Sequence, residues 1–495
     1  MPGRRVRFSL FKLWSSAYAF AGIAGFPEVE MAIASGEQFG SLKDRFGGEV
    51  LLPADTGYDD ARSLWNGEID RRPAAIARCT TIEQVATAVS FAQEYNLEIA
   101  VRGGGHNYAG HGCCDGGLMI DLSGMNTVTV DPAARRARCG GGTTWAELDA
   151  ATQEHGLATI GGVISHTGVG GLTLGGGIGW LSRELGLACD NLVGATVVTA
   201  DGQTLHASAD ENPDLFWALR GGGGNFGVVC EFEFALHEIG PMVNLGLFFW
   251  TIDQTVEAMR FMRDFVDRLP AGNGVQIVGL NAPPAPFVPE QYHFAPGWVL
   301  AVVGFRSPED HAAIIQPIRD GLAPTFEFVT PIPYTALQQM LDESAPWGIL
   351  AYEKALYLDE LSDAAIAVVA EYMPKKSSPM TLTPVFPMGG AYAEVPDDDT
   401  AFGGRRSAKF VFNISAAAPD QDLLDADREW VRAFYDALLP HASGNATYVN
   451  FLAEPDDDRV RASYGPEKYD RLARIKAKYD PHNAFHLNAN IKPAD

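Results

Sequence analysis

The stretch that decides the fold reads Val101-Arg102-Gly103-Gly104-Gly105-His106-Asn107. It follows an apolar, strand-like segment over residues 97–101 and places one imidazole on a loop of three glycines. Glycine lets the backbone adopt positive φ and come close to a flat, bulky ligand. We therefore expect His106 to bond to a ligand. The alternative is a histidine that only forms hydrogen bonds within its own loop.

Two further glycine-rich segments cover residues 168–179 and 220–227. The last of them contains G-x-G-x-x-G, a pattern that binds dinucleotides when it follows a strand and opens a helix. Here a helical pattern over 213–219 precedes it and a strand pattern over 228–234 follows it. This order excludes a Rossmann domain, and no Gly-Lys-Ser/Thr follows any glycine run. The three loops together indicate one large cofactor that is contacted by backbone at three places.

Composition limits the class of partner. The chain has 495 residues, 46% of them hydrophobic and 20% charged, which is typical of a soluble protein of two or three domains. The formal net charge of −25 argues against nucleic acid or an anionic membrane as the main partner. We interpret the acidic runs 397–399 and 456–458 as solvated loops, with metal binding as the weaker alternative.

The six cysteines are too few and too scattered for a disulfide scaffold. Cys113 and Cys114 lie near His106 and His111 in the sequence. These four residues could be interpreted as a metal-binding cluster. No second ligand pair at zinc-like spacing follows, so we predict no metal and expect the thiols to be small buried side chains.

The N-terminus permits two interpretations. A basic segment over residues 4–7 precedes a modest apolar stretch over 13–25, which superficially suits an export signal. However, Lys12 interrupts the approach, and the cleavage site at 32–35 is weak. We therefore expect a cytoplasmic protein, with export as the alternative. No run reaches the roughly 18 apolar residues that span a bilayer.

Apolar periodicity predicts the elements of the chain. Strands are expected over 98–101, 118–122, 127–130, 136–139, 192–199, 228–234, 298–305 and 409–414, and helices over 81–95, 144–154, 213–219, 256–269, 308–322 and 464–478. The glycine loops end near residue 241, where longer helices begin to alternate with strands. This change indicates a second domain, an antiparallel sheet covered by helices on one face.

The glycine loops resemble those of a known family. Arg-Gly-Gly-Gly-His-Asn at 102–107, the run Thr167–Leu181, and Asp214–Val229 are similar to segments of FAD-linked oxidases of the vanillyl-alcohol oxidase superfamily, within it the berberine bridge enzyme-like group. The segment Tyr479–Ile491 matches the closing segment of that group. The resemblance covers about residues 70–240 and 440–493, in order and in spacing.

The resemblance implies an α+β fold with four parts. These are an N-terminal extension over 1–45, with disorder as one interpretation, a two-subdomain PCMH-type FAD-binding domain over 46–240, an antiparallel-sheet substrate domain over 241–445, and a C-terminal segment over 446–495 that returns to the FAD domain. It also implies the residues that contact FAD: Arg102, Gly103, Gly104, Gly105, His106, Asn107, Ser165, Thr167, Gly168, Gly170, Gly171, Gly175, Gly176, Gly177, Gly179, Asn225, Gly227, Val228, Val229, Asn488 and Asn490.

His106 falls on the position that the family joins covalently to the flavin 8α-methyl group. Many members form a second bond through a cysteine that lies four residues before the Gly-x-Gly-Gly run. Here that position is Ile164, and no cysteine lies nearby. We therefore predict a single covalent link, which argues against an open carbohydrate site without excluding a sugar substrate.

The family's Tyr-x-Asn-Tyr segment matches residues 448–451, with Phe451 in place of the last tyrosine. Tyr448 is the predicted base, provided that a neighbour lowers its pKa; the alternative is a core tyrosine. Strand alternation places Lys409, Val411 and Asn413 on one face. Asn413 falls near the position where members of the family carry a Glu or Gln that faces the flavin, so the resemblance implies that Asn413 is a polar contact there. His166 is expected either to orient the substrate or to bond locally.

The predicted reaction is oxidation of an alcohol or amine carbon of a small molecule, by hydride transfer to flavin N5 and reoxidation by O₂ to give H₂O₂. The alternatives are a dehydrogenase with another electron acceptor and a flavin-binding protein without turnover. The sequence leaves the substrate and the oligomeric state open.

Overall fold

The N-terminal part of the described chain folds around a four-stranded sheet. The structure is a computed structural model, and it describes residues 36–495. The first elements are α1 (Gly36–Phe46), β1 (Glu49–Leu51), α2 (Tyr58–Arg62), β2 (Ala75–Arg78), α3 (Ile82–Glu94), β3 (Ile99–Arg102) and β4 (Leu118–Asp121). The strand order is β1-β2-β4-β3, with β1 antiparallel and the other strands parallel. The first glycine loop leaves the end of β3.

Helix α1 occupies most of the described part of the predicted extension. Phe39, Leu42 and Phe46 are buried, and Phe39 packs against Phe91 of α3 at 5.8 Å between ring centroids. Residues 36–45 are therefore part of the fold and form no loose extension, because their apolar side chains cover α3. The signal-like features of residues 4–35 lie outside the described residues.

A five-stranded antiparallel sheet follows. Its part of the chain contains β5 (Val128–Asp131), β6 (Arg136–Gly140), α4 (Trp145–Gln153), β7 (Leu157–Ala158), α5 (Val169–Leu174), α6 (Ser182–Leu185), β8 (Leu192–Val198), β9 (Thr204–Ser208), α7 (Pro213–Leu219), β10 (Val228–Ala235) and β11 (His237–Glu238). The strand order is β5-β6-β10-β8-β9. The third glycine loop connects α7 to β10, so the helix-then-strand order that excluded a Rossmann domain is confirmed.

The third part is a seven-stranded antiparallel sheet. Its elements are β12 (Met242–Thr251), α8 (Thr255–Arg268), β13 (Asn273–Asn281), β14 (Pro296–Gly304), α9 (Pro308–Asp320), β15 (Phe326–Pro333), α10 (Tyr334–Gln339), β16 (Leu350–Leu358), α11 (Asp363–Tyr372), β17 (Thr383–Pro387), α12 (Ala391–Glu394), β18 (Phe410–Ala418) and α13 (Gln421–Leu438). The strand order is β15-β12-β14-β13-β17-β18-β16.

Helices cover one face of this sheet, as predicted. Side chains of α8, α9, α11 and α13 share an apolar core with alternate strand residues such as Ile277, Leu356 and Phe412. Because neighbouring strand residues point to opposite faces, Gln276, Glu353 and Asn413 lie on the face away from these helices. This second face borders the cavity described below.

The C-terminal segment contains two helices, of which the sequence predicts only the second, over 464–478. These are α14 (Asp457–Tyr464) and α15 (Pro466–Tyr479). Gly465 between them has φ 74°, a left-handed conformation that favours glycine, and Pro466 begins a new helix because it needs no hydrogen-bonded N–H there. The helix predicted over 464–478 is therefore confirmed as α15, which begins two residues later, whereas α14 was not predicted.

The chain then returns to the third glycine loop, as predicted. Lys476 is fully buried and forms an ion pair of 2.7 Å with Asp480. Its ammonium also donates to the carbonyls of Asn225 (2.7 Å) and Phe485 (2.9 Å). The Asn225 side chain accepts a hydrogen bond from Ile491 N at 2.9 Å. The tail is thus fixed against the loop that precedes β10.

Replacing Lys476 by methionine is expected to lower the free energy of unfolding by about 3–5 kcal/mol, because Asp480 then stays buried without its partner. Lys478→Met is the matched control. Lys478 pairs with Asp214 across 2.7 Å, but the two side chains are 57% and 36% exposed, so we expect a loss below about 1 kcal/mol. Denaturant unfolding of both variants measures the difference. Equal losses would show that the buried pair does not hold the tail.

Candidate active site

One cavity of about 450 Å³ extends from the N-terminal sheets to the free face of the seven-stranded sheet. Toward the N-terminal sheets it is lined by apolar side chains that share one core, among them Ile99, Leu122, Val228 and Phe485. On the opposite side it is lined by polar side chains of the large sheet: Gln276, Glu353, Asn413 and Ser415. Backbone of all three glycine loops lies between them.

Most of the predicted site residues border this cavity. They are Arg102, Gly103, Gly104, Gly105, His106, Asn107, Thr167, Gly168, Gly170, Gly171, Gly175, Gly227, Val228, Val229, Asn413, Tyr448 and Asn488. The predicted residues outside its lining are Ser165, His166, Gly176, Gly177, Gly179, Asn225 and Asn490. The glycine loops that are far apart in sequence therefore meet at one site.

The residues outside the lining support those that form it. Gly179 packs so closely on Gly161 that an added Cβ would lie 1.7 Å from the Gly161 oxygen. Ser165 donates from N and Oγ to the carboxylate of Asp342, at 2.8 and 2.6 Å. Asn225 holds the C-terminal tail, as described above. These contacts set the backbone positions of the loops.

The first two glycine loops touch backbone to backbone. A Cβ on Gly104 would lie 2.2 Å from Gly168 N, and one on Gly168 would lie 2.4 Å from Gly104 N. Any side chain at either position would separate the loops. This close approach explains why glycine occupies both positions and why His106 lies beside residues 166 and 167.

His106 is held between aromatic rings. Trp65 stacks on it at 5.1 Å and 17°, and Trp347 meets it edge-on at 5.7 Å. Its Nε2 lies 2.7 Å from His166 Nδ1, and its Nδ1 lies 3.5 Å from Thr167 Oγ1. Burial, reinforced by the neighbouring His166 imidazole, lowers the pKa of His106 to about 3. The ring is therefore neutral near pH 7, and a neutral imidazole is nucleophilic.

A chain of contacts connects this histidine to the large sheet. Trp65, which stacks on His106, also packs against Tyr108 at 5.0 Å between ring centroids. The Tyr108 hydroxyl and Ser415 Oγ on β18 share a hydrogen bond of 3.1 Å. Asn66 bonds to the backbone of Ala351 on β16 in both directions. The histidine loop and the sheet face are thus fixed relative to each other.

Glu353 is a site residue that the sequence reasoning missed. It lies on β16 opposite Ser415, is 1% exposed, and borders the cavity. Its Oε2 accepts a hydrogen bond of 2.8 Å from Asn413 Nδ2. Burial raises the pKa of Glu353 to about 8, although the Asn413 hydrogen bond opposes this shift. A carboxyl with such a pKa can accept a proton near neutral pH.

Three buried oxygens at this face have no hydrogen-bond partner among the described residues. They are Glu353 Oε1, Asn413 Oδ1 and Gln276 Oε1. A buried acceptor without a donor is costly, so such a group indicates a ligand that supplies one. All three residues line the cavity. The face is therefore built for a molecule that carries O–H or N–H groups.

Tyr448 also borders the cavity, but its hydroxyl is turned toward the second glycine loop. It accepts hydrogen bonds of 2.8 Å from Gly177 N and from Asn450 Nδ2. Burial raises the pKa of Tyr448 above its usual value. The condition for a base, a pKa lowered by a neighbour, is not met. The geometry is that of the alternative, a core tyrosine with a satisfied hydroxyl.

The cysteines lie buried as free thiols, as expected. Within residues 36–495 no group of three or more His, Cys, Asp or Glu side chains is arranged to hold a metal ion. Ile164, which stands at the position where the resemblance implies a second, cysteinyl link, borders the cavity. In the same described range, no helix combines the length and apolarity that crossing a bilayer requires.

Comparison with known proteins decides the family. Residues 73–208 match the model of an FAD binding domain, and residues 447–492 match that of berberine and berberine-like proteins. The chain is 33% identical over 461 residues to (R)-6-hydroxynicotine oxidase of Paenarthrobacter nicotinovorans, covering 90% of this chain and 97% of the relative. It belongs to the berberine bridge enzyme-like family of FAD-linked oxidoreductases.

Solved structures of this family share the fold. The crystal structure of 6-hydroxy-D-nicotine oxidase from Arthrobacter nicotinovorans matches with a TM-score of 0.79 at 29% identity, over 90% of this chain and 98% of that one. Glucooligosaccharide oxidase from Acremonium strictum matches with a TM-score of 0.79 at 26% identity, over 92% and 99% of the two chains, and carries a 6-S-cysteinyl, 8α-N1-histidyl FAD. This berberine bridge enzyme-like chain is an FAD-dependent oxidoreductase.

The residues present fit FAD. Gly171 and Gly224 line the cavity, and an added Cβ at either position would meet no protein atom within 4 Å, so the loops present bare backbone to a ligand there. Asn488 Oδ1, which belongs to a cavity-lining residue of the tail, is buried without a partner among the described residues. The neutral, nucleophilic imidazole of His106 borders the same cavity. These features suit a long, flat cofactor with several hydrogen-bond donors.

Proposed function

We propose that this protein is an FAD-dependent oxidase whose flavin is covalently attached through His106 alone, and that it oxidises an alcohol or amine carbon of a small molecule. The observation that carries the proposal is a single cavity, in which one wall presents His106 with the glycine loops and the opposite wall presents Glu353. The name 6-hydroxynicotine oxidase, given to a relative, supports an amine among the substrates to be tested.

The wall that contains His106 would hold the cofactor. The backbone of the glycine loops, Thr167 and Asn488 would contact it. When bound, FAD accepts a hydride from the substrate carbon and passes the electrons to O₂, which gives H₂O₂. The apolar residues between the two N-terminal sheets exclude water from the far part of the cavity. A second link would need a cysteine at position 164, where this chain has isoleucine. This supports a single link.

Glu353 acts in this proposal as the base. Its ionised carboxyl accepts the proton of the substrate O–H or N–H, and this loss of a proton helps the adjacent carbon to release hydride. Asn413 holds Oε2 through the 2.8 Å hydrogen bond, so that Oε1 faces the substrate. Asn413 is therefore a positioning residue for Glu353, in addition to the polar contact that the resemblance implies.

In this proposal, Gln276 and Asn413 give the site a preference for substrates that carry hydrogen-bond donors. Their free oxygens accept hydrogen bonds from hydroxyl or amine groups, whereas a substrate without such groups would leave them buried and unpaired. His166 contacts His106 and lies outside the residues that line the cavity. We therefore assign it no part in orienting the substrate.

A screen for peroxide release tests the function. Purified, yellow protein would be mixed in air with small alcohols, sugars and cyclic amines, and H₂O₂ would be measured together with O₂ consumption. Release in a ratio of one peroxide per O₂ consumed supports an oxidase. Anaerobic bleaching of the flavin without peroxide release in air would instead favour a dehydrogenase.

We also propose a cytoplasmic location. The weakness of the signal-like features in the first residues supports this location.

The substrate found in this way allows a test of Tyr448. Tyr448→Phe removes the acceptor for the buried Gly177 N–H, so the free energy of unfolding is expected to fall by about 1–3 kcal/mol. The rate of flavin reduction is expected to change by less than about tenfold, well below the effect of losing a general base. Denaturant unfolding and stopped-flow reduction measure the two quantities. A reduction rate about 10²-fold lower at unchanged stability would restore Tyr448 as the base.

A further inference from the structure

His106 and His166 form a contact that the proposed oxidation of substrate does not use. Nε2 of His106 and Nδ1 of His166 are 2.7 Å apart, and the ring centroids are 4.7 Å apart. At this distance one nitrogen donates a proton and the other accepts it. The two rings come from different glycine loops, which the backbone contact between Gly104 and Gly168 brings together.

The surroundings of His106 decide which nitrogen is available for a new bond. Stacking on Trp65 and the edge contact with Trp347 fix the plane of the ring. Nε2 is engaged by His166, whereas the only contact of Nδ1 among the described residues is Thr167 Oγ1 at 3.5 Å. Nδ1 is therefore the nitrogen with a lone pair free to react. In that tautomer the proton lies on Nε2 and points at His166.

We propose that His166 accepts the Nε2 proton of His106 while His106 Nδ1 forms its bond to the 8α carbon of the flavin. This inference rests on the covalent link of the proposed function. Overall, one C–H bond of the 8α-methyl group and the N–H bond of His106 are replaced by one N–C bond. The two protons and two electrons released pass to molecular oxygen, which leaves as hydrogen peroxide.

The second loop is built to hold His166 for this role. The neighbouring Ser165 is fixed by two hydrogen bonds to Asp342, which set the backbone from which His166 extends. His166 is only half-buried, so water can remove the proton it receives. Without His166, the imidazole of His106 would have to keep a positive charge as the bond forms. Burial disfavours that charge, which agrees with the lowered pKa of His106.

The test separates attachment from binding. Full-length protein would be produced in riboflavin-limited cells and then incubated with FAD in air. Covalent flavin would be followed by fluorescence of the denatured protein band, and non-covalent flavin by release into acid. His166→Ala and His166→Gln are expected to retain FAD that acid releases, but to form the covalent bond at least about tenfold more slowly. His155→Gln, a change of an exposed histidine, is expected to attach flavin at the wild-type rate.

Free imidazole should raise the attachment rate of His166→Ala, because it can replace the missing ring. It should not affect His166→Gln, in which the space stays filled. Attachment by both variants at the wild-type rate would overturn the inference. So would the loss of all bound FAD, since His166 would then be needed for binding. Wild-type protein without acid-stable flavin would refute the covalent link of the proposed function. That failure is seen in the wild-type protein alone and is therefore distinct from a failure of the role of His166.

Discussion

Glu353→Gln is expected to slow reduction of the flavin by substrate by about 10²–10⁴-fold, while the protein stays folded and yellow. Glutamine has the size of glutamate and can still accept the hydrogen bond from Asn413, but it cannot take a proton. Anaerobic stopped-flow reduction with the substrate identified by peroxide release measures the rate. The absorption spectrum of the bound flavin checks that the cofactor site is unchanged.

Glu343→Gln is the matched control. Glu343 is exposed on the short 3-10 helix Asp342–Ser344, next to the cavity-lining residues Leu341 and Ser344, and its substitution makes the same change of charge. We expect the wild-type rate of reduction from this variant. A Glu353→Gln rate within about threefold of wild type would remove Glu353 from the chemistry, since even a modest general base contributes about 10²-fold.

The pH dependence follows from the same carboxyl. Burial raises the pKa of Glu353 to about 8, and a base works only when it is ionised. The second-order rate constant for reduction, which reports the free enzyme, is therefore expected to be high above pH 8 and to fall as the pH drops through 8. Glu353→Gln should lack this ionisation. A wild-type profile that is flat between pH 6 and 9 would contradict the assignment.

The sequence predicted the cofactor wall better than the substrate wall, for a physical reason. Glycine loops can be recognised from the local sequence, because close approach of two backbone segments needs glycine at the contact itself, as at Gly104 and Gly168. The strand and helix on either side of the third loop also follow from local patterns. Hence the three loops, the order of elements around them and the position of His106 were predictable.

Glu353 depends on pairing that no local pattern contains. It meets Asn413 only because β16 and β18 pair in one particular register, which brings together residues 60 positions apart. A signal was nevertheless present, since Glu353 and its neighbour Lys354 interrupt an otherwise apolar strand. A buried carboxylate in such a strand is rare unless it is paired or functional. Tyr448 shows the reverse case. Its segment was located correctly, but the sequence does not tell which way the hydroxyl points.

His106→Ala is expected to abolish covalent attachment of the flavin, so that acid precipitation leaves colourless protein and a yellow supernatant. Wild-type protein should stay yellow in the pellet, because a nitrogen–carbon bond survives denaturation. Mass spectrometry of wild-type peptides should find flavin on the segment that contains His106 and on no other. We expect a single link because Ile164, which borders the cavity, cannot form a cysteinyl bond such as the one that glucooligosaccharide oxidase carries.

His111→Ala distinguishes this role from a general loss of binding. His111 belongs to the same loop region and also borders the cavity, but it makes no contact with His106 or His166 among the described aromatic pairs and hydrogen bonds. We expect acid-stable flavin in that variant. Complete release of flavin from wild-type protein would show that His106 binds FAD without a bond. A flavin adduct on a cysteine peptide would instead refute the single link, and the buried position of all six thiols makes that outcome chemically unfavourable.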